Sequence, residues 1–228
     1  MKWHTATGLV VIFLVLSGCA RMLGTTSPPT RYFVISPLTL DSKLNSLALA
    51  KETKESLDKK EIKVVEPTKQ TEIGIALEPL QIPSYLDRAE IVVRTGDNEL
   101  DIAEFNKWGE NIQSNLSRTL IENLSLLFES DKIYLIPSKK RRFPNFRVAV
   151  RIKKFERGFD GITILSVRWM LYSPDKKILF RESVLLKGQE VDKDDYPKIV
   201  KAMSSLWVEF SQRIVDSVNK QQANMIEK

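Results

Sequence analysis

The sequence contains one cysteine, Cys19, and one histidine, His4, among 228 residues. Both lie near the N-terminus, so the rest of the chain has neither a thiol nor an imidazole. Cys19 has no second cysteine with which to form an internal disulfide. Nucleophiles activated by histidine, and zinc sites built from cysteine and histidine, are excluded from the rest of the chain. The nine glycines are scattered and form no phosphate-binding loop. These absences predict a protein that is not an enzyme and that has no metal and no cofactor.

The residues before Cys19 have the three parts of a bacterial export signal. Residues 1–8 are polar and carry Lys2, residues 9–16 are an unbroken apolar run, and Ser17 and Gly18 are small. The apolar run is too short to stay in a bilayer as a helix, which needs about 20 apolar residues. We therefore predict a signal peptide over residues 1–18. A cleaved signal peptide with an incidental cysteine beside the cut is the alternative.

The stretch Leu16-Ser17-Gly18-Cys19 resembles the lipobox of bacterial lipoproteins. In lipoproteins the cysteine thiol receives a diacylglyceryl group, and a peptidase then cuts between the small residue and the cysteine. The resemblance implies cleavage between Gly18 and Cys19, with diacylglyceryl and N-acyl (palmitate) chains on Cys19 as the covalent group. More than one lipid chain gives stable anchoring. Ala20, where inner-membrane lipoproteins carry Asp, favours the inner leaflet of the outer membrane, with the domain facing the periplasm.

The chain is basic, with a formal net charge of +6. A basic balance can indicate nucleic acid binding, but an export signal removes nucleic acid as a partner. Acidic lipid headgroups and acidic protein surfaces remain as candidates, and simple solubility is the alternative. Asp and Glu are mostly spread among Lys and Arg, the pattern of a solvated surface. A histidine-free hydrolase that uses paired carboxylates is the only enzyme class left open.

Composition divides the chain after the signal peptide into a tether, one domain and a tail. Residues 19–30 are small, polar and proline-containing, which predicts a flexible tether after the lipidated cysteine. Residues 31–221 form the predicted domain, and residues 222–228 form a C-terminal tail. Residues 39–71 are rich in Lys, Glu, Ser and Leu and contain no aromatic residue, so we predict a polar insertion there.

Hydrophobic periodicity predicts an α+β fold in a single domain. Apolar spacing of three and four residues predicts two long amphipathic helices, over residues 109–129 and 195–220. Polar turns over residues 95–98 and 173–177 predict hairpins. A mostly antiparallel sheet with both helices packed on one face would bury these patterns. Alternation predicts strands over residues 31–38, 72–82, 91–94, 100–105, 132–136, 146–152, 164–172 and 178–186.

The stretch "IPSYLDRAEIVVRTGDNELDIAEFNKW", residues 82–108, goes beyond generic folding signals. With the helix that follows, it resembles the ABC-type transport auxiliary lipoprotein family. Two positions depart from the family pattern, since Ala89 and Asn111 stand where proline is common. The matching positions are Pro83, Tyr85, Leu86, Asp87, Arg88, Arg94, Phe105, Trp108, Asn123 and Leu124.

The resemblance implies an auxiliary component of an MCE-type ABC system for intermembrane lipid transport. Such a system has an ATPase, a permease and an MCE-domain protein that reaches toward the outer membrane. This chain would dock the MCE-domain protein there as a homo-oligomeric ring. A structural or assembly-factor envelope lipoprotein, unrelated to lipid transport, is the alternative.

The motif residues also have a purely structural interpretation. Pro83 to Arg88 would then form only a turn, with Tyr85 and Leu86 buried beneath it and the Asp87 and Arg88 side chains bonded to backbone groups. Trp108 would be a core residue. In the interface interpretation, Pro83, Tyr85, Leu86, Asp87, Arg88, Arg94 and Trp108 contact a partner.

Replacing Cys19 by alanine tests the lipoprotein prediction. The variant is expected to take up no fatty acid and to remain an uncut precursor, because the acylated thiol is missing. Radiolabelled palmitate followed by immunoprecipitation measures this, with Ser17→Ala, which keeps a small residue, as the labelled control. Equal labelling of the Cys19 variant and the wild type would refute the lipidation.

Overall fold

The computed structural model describes residues 27–40, 73–137 and 144–226. The lipobox with Gly18 and Cys19, most of the predicted insertion over residues 39–71, and the basic run Lys139 to Arg142 lie outside the described residues. Residues 27–30 are exposed and have no regular secondary structure. The chain from Arg31 to Lys228 forms one compact unit.

The described residues of this unit form eight strands and two helices, in the order β1–β4, α1, β5–β8, α2. Both predicted helices are present, and each predicted strand region contains an observed strand. The elements are β1 (Arg31–Phe33), β2 (Ile75–Leu77), β3 (Glu90–Gly96), β4 (Glu99–Trp108), α1 (Ile112–Phe128), β5 (Ile133–Leu135), β6 (Phe146–Arg157), β7 (Ile162–Tyr172), β8 (Ile178–Glu190) and α2 (Tyr196–Ile226).

Strand β6 is the centre of the eight-stranded sheet that the described strands form. It pairs antiparallel with β7, which pairs antiparallel with β8. A separate stretch of chain runs parallel to β6: Ile75 pairs with Phe146, Gln81 bridges to Arg151, and Val93 pairs with Arg157. Residues 75–93 therefore follow β6 from its first residue to its last.

The sheet is mixed, so the prediction of a mostly antiparallel sheet was wrong. Four of the seven strand pairings are parallel, namely β1 with β4, β2 with β5, β2 with β6, and β3 with β6. The antiparallel pairings are the three that join strands adjacent in sequence. Periodicity identifies such hairpins, whereas β1, β2 and β5 are three residues long and pair with strands distant in sequence.

The core lies between the sheet and the two helices. Helix α2 contacts β6, β7 and β8, while α1 packs beside α2 and against β5. The predicted apolar stripe of α2 is buried from Val200 to Val218. The Trp207 ring lies 5.3 Å from that of Phe210, which meets Trp169 edge-on at 6.2 Å. Such aromatic pairs contribute about 0.5–1.5 kcal/mol each beyond the area that they bury. None of the described helices is both long and apolar enough to cross a bilayer.

Two buried asparagines of α1 hold the chain that follows β1. The Ile35 N–H donates to Asn115 Oδ1 at 2.7 Å, and Asn115 Nδ2 donates back to the Ile35 carbonyl at 3.2 Å. The Leu38 N–H donates to Asn123 Oδ1 at 2.7 Å, and Asn123 Nδ2 donates to Ser211 Oγ of α2. These side chains satisfy backbone groups that no strand partner reaches.

Asn115→Ala is expected to lower the free energy of unfolding by about 2–4 kcal/mol, because the buried N–H and C=O of Ile35 lose their partner. Urea unfolding measures the change, and an unaltered slope would show that the unfolded state is unchanged. Gln212→Ala is the control, since it removes only an exposed bond to Asp216 and should change stability by at most about 0.5 kcal/mol. Equal effects of the two substitutions would contradict the assigned role of Asn115.

Candidate functional site

The family-like motif forms a loop that leaves the edge of β6 and returns to it. Between Gln81 and Val93 the chain advances twelve positions, whereas β6 advances only six, from Arg151 to Arg157. The surplus chain forms the loop of residues 83–89, referred to below as the edge loop. Two turns close it: Leu86 N–H donates to the Pro83 carbonyl, and Asp87 N–H donates to the Ser84 carbonyl.

The edge loop is fastened to β6 by the carboxylate of Glu156. The Glu156 side chain is fully buried and that of Arg94 is 15% exposed. Tyr85 Oη donates to Glu156 Oε2 at 2.6 Å, and Arg94 Nε donates to Oε1 at 2.6 Å. Arg94 Nη1 also donates to the Asp97 carbonyl at 3.0 Å, in the β3–β4 turn. Each oxygen of this buried carboxylate therefore has a donor.

This packing shifts the pKa values of Tyr85 and Arg94. Burial raises the pKa of the Tyr85 hydroxyl, and the hydrogen bond to Glu156 raises it further. The hydrogen bond to Glu156 also raises the pKa of Arg94. A buried ion pair contributes little net stability because both charges lose water, but removing one partner is costly. The network therefore sets the position of the edge loop more than it adds to stability.

Asp87 and Arg88 lie at the exposed tip of the edge loop. Asp87 Oδ1 accepts from Asn111 Nδ2 at 3.1 Å, and Asn111 caps α1 by accepting from the Ser114 N–H. Arg88 Nε donates to Glu90 Oε2 at 3.2 Å. Both residues thus bond to side chains, and not to backbone groups as the structural interpretation predicted. Exposed pairs of this kind contribute about 0–1 kcal/mol, so these charges remain available to a partner.

Leu86 and Trp108 are buried in the core beneath the edge loop. They line a cavity of about 10 Å³ with Ile112, Phe155 and Met203. This volume is at most one water molecule's worth, so the cavity admits no ligand. The Trp108 N–H donates to the Ala89 carbonyl at 2.7 Å, and Pro83 is half-buried. The structural interpretation therefore accounts for Trp108 and Leu86.

Sequence reasoning missed Glu156, on which the network depends. It is the only acidic residue of β6, which carries five basic ones. A single acidic residue in an otherwise basic strand was the sequence signal that could have identified Glu156 as a paired residue. Phe146, the first residue of β6, is buried in the core.

The described residues offer no catalytic or metal-binding constellation. No group of three or more His, Cys, Asp or Glu side chains within them could hold a metal ion. Glu156, the one fully buried carboxylate in the part of the chain that the structure describes, already accepts a hydrogen bond at each oxygen. The functional feature of this region is the edge loop, which has a fixed shape and presents the Asp87 carboxylate and the Arg88 guanidinium to solvent.

Comparison with known proteins gives one family and a consistent fold. The model of the ABC-type transport auxiliary lipoprotein component matches residues 56–215, which include the edge loop and all of β6 to β8. The intermembrane transport lipoprotein PqiC of Escherichia coli (strain K12) is 24% identical over 144 residues, covering 63% of this chain and 74% of that protein. PqiC of Shigella flexneri matches to the same extent.

Two crystal structures share the fold. Protein XCC0632 from Xanthomonas campestris superimposes with a TM-score of 0.58 at 12% identity, covering 72% of this chain and 95% of that chain. An uncharacterised protein superimposes with a TM-score of 0.56 at 23% identity, covering 64% and 92%. At these identities the likeness concerns the fold alone.

Tyr85→Phe is expected to lower the free energy of unfolding by about 1–3 kcal/mol near neutral pH, because a Glu156 oxygen loses its donor. The wild-type advantage should shrink above pH 10.0, where tyrosine ionises in the unfolded chain while folded Tyr85 stays neutral. The raised pKa makes this contribution complete below pH 10.0 and progressively smaller above it.

Urea unfolding at neutral pH and at about pH 11 measures both effects. Tyr32→Phe is the control, since Tyr32 is 69% exposed. A Tyr85→Phe deficit of the same size at both pH values would contradict the assigned hydrogen bond.

Proposed function

Because the chain belongs to the ABC-type transport auxiliary lipoprotein family, as its motif predicted, we propose that it serves an MCE-type ABC system for intermembrane lipid transport. In this proposal it docks the MCE-domain protein of that system at the inner leaflet of the outer membrane. The family match carries the proposal, and the lipobox agrees with it. The name of the relative PqiC, an intermembrane transport lipoprotein, supports transport between membranes, and the lipid cargo is what the resemblance to the family implies.

The proposed role is positional. In this role ATP is hydrolysed by another component. A flexible tether over residues 19–30 would span only about 18 Å in root-mean-square terms, so the domain stays close to its membrane. The partner must therefore reach the domain, as a bridging MCE-domain protein would.

The edge loop is the proposed contact. Glu156 holds it through Tyr85 and Arg94, while Asp87 and Arg88 face outward. A loop that is already ordered pays little conformational entropy on binding. Side chains at its tip are therefore suited to a specific contact with the MCE-domain protein or with a neighbouring subunit.

Lipid transfer also favours an oligomer. An acyl chain exposed to water costs about 0.8 kcal/mol per CH₂ group, so the route must be enclosed. The core of this domain is filled by its own side chains, and the cavity beneath the edge loop measures only about 10 Å³, so the core has no room for an acyl chain. A ring of identical subunits can enclose one, and its contacts would be head-to-tail between different surface patches.

Charge reversal at the edge loop tests the docking. Asp87→Lys or Arg88→Glu is expected to reduce co-purification with the MCE-domain protein at least about tenfold, while the melting temperature falls by only a few degrees. Asp216→Lys is the matched control, on the exposed side of α2 and away from the loop. Retention of the MCE-domain protein by both loop variants would refute the assigned contact.

Light scattering tests the ring on the mature domain without Cys19. A monomer at every concentration, alone and with the MCE-domain protein, would refute the ring. A wild-type lipoprotein that never co-purifies with an MCE-domain protein would instead favour the assembly-factor alternative.

A further inference from the structure

The sheet has a basic face on the side away from the helices. Side chains alternate between the two faces of the sheet along each of β6, β7 and β8. Val150, Val167 and Leu186 point toward the core, and the residues next to them in each strand point outward. The only carboxylate in these outward positions of β6 and β7 is Glu156, which is buried and paired with Arg94. The outward-facing basic residues of β6, β7 and β8 are Arg147, Arg151, Lys154, Arg168, Arg181 and Lys187.

Three of these arginines crowd together on adjacent strands. Arg151 stands directly opposite Arg168 in the β6–β7 register. Arg181 stands opposite Met170, two positions from Arg168 on the same face. Like charges directly opposite each other destabilise a sheet. This local conflict with the fold is the kind that functional sites retain.

No carboxylate among the described residues forms an ion pair with these three guanidinium groups. Two of them are held by neutral acceptors: Arg151 Nε donates to Gln81 Oε1 at 2.7 Å, and Arg168 Nε donates to Ser183 Oγ at 3.2 Å. These bonds orient the guanidinium groups without cancelling their charge. An anion placed between them would relieve the repulsion.

The three arginines line a groove of about 420 Å³, within the usual size range of small-molecule sites. Glu182 also lines it but already accepts from Trp169 Nε1 and lies 3.6 Å from Arg213 Nη1. Of the two carboxylates in the groove, Glu78 is therefore the one not already engaged by Trp169 and Arg213, and it faces three cations. Pro79, Ala149 and Met170 give the groove an apolar part.

We propose that Arg151, Arg168 and Arg181 bind the phosphate of a phospholipid headgroup. The planar fork of a guanidinium matches phosphate oxygens in pairs, which makes arginine better suited than lysine to this role. Pro79, Ala149 and Met170 then contact the glycerol and the first methylene groups. Leu185, 55% exposed on the same face, extends the apolar surface outside the groove. This inference rests on the proposed function and names the substrate class and its site.

Lipid binding by the full-length lipoprotein, purified in a non-ionic detergent, tests the site. Native mass spectrometry counts bound phosphatidylglycerol over a titration, and diacylglycerol with the same acyl chains serves as the phosphate-free probe. Phosphatidylglycerol is expected to bind and diacylglycerol is not. Arg168→Gln with Arg181→Gln should weaken binding about tenfold or more, since charge-assisted bonds are lost.

Two single substitutions sharpen the result. Glu78→Gln removes the opposing charge and should tighten binding of phosphatidylglycerol. Lys187→Gln removes the same charge from the same sheet face outside the groove and should leave binding unchanged. Arg181→Gln alone also reports on the site if the double variant folds poorly, because Arg181 has no hydrogen-bond partner among the described residues to lose.

Four results would overturn the inference. The first is unchanged phosphatidylglycerol binding by the arginine variants, and the second is equal binding of diacylglycerol. The third is full displacement of the lipid by an equal concentration of inorganic phosphate, which would indicate a site for free phosphate. The fourth is that the arginine substitutions dissociate the oligomer while lipid binding is retained. That result would show that the basic face binds carboxylates of a second copy of the chain. These measurements need no MCE-domain protein, so co-purification with it decides the proposed function separately.

Discussion

The carboxylate of Glu156 is shut away from water, and its two oxygens must find donors inside the protein. The donors come from Tyr85 in the edge loop and Arg94 in β3, both more than sixty positions earlier in the chain. One side chain of the central strand β6 thus joins the edge loop, the β3–β4 hairpin and the antiparallel strands β6 to β8. The exposed charges of Asp87 and Arg88 keep a defined position because the residues on either side of them are held in this way.

How far local sequence determines the molecule differs between its parts. The helices and the β3–β4 and β7–β8 hairpins follow from periodicity and turn residues, because these signals lie within a few residues of one another. The parallel pairings do not, since a three-residue strand such as Ile75–Leu77 has no period to read and its partners lie far along the chain. Glu156 was missed for the same reason. Within "KKFER" it resembles a solvated residue, and only Tyr85 and Arg94 make it a buried one. The motif residues, in contrast, were recognisable from the sequence as a set, although Glu156, which binds Tyr85 and Arg94, was not.

The two faces of the sheet meet different demands. The inner face carries Val150, Val167 and Trp169, which are buried beneath the helices, so this face leaves no room for a ligand. The outer face carries the charge of the strands and the groove. A domain held near a membrane by a short tether would present such a face to acidic headgroups or to the cargo itself. The core stabilises the fold, and the outer face and the edge loop are two surfaces of the described residues that are available for recognition.

The parallel course of residues 75–93 beside β6 bears on when the protein can fold. Among the described strands, β2 pairs only with β5 and β6, and the β3–β4 hairpin joins the rest of the sheet only through β6, whose last residue is Arg157. A chain that leaves the ribosome N-terminus first therefore cannot complete its sheet until more than half of its residues have been synthesised. Contacts between residues so far apart in sequence form slowly, because a long loop must close first. The emerging chain thus remains without its tertiary structure for longer than a helical bundle would, and an unfolded chain is what the export predicted from residues 1–18 would require.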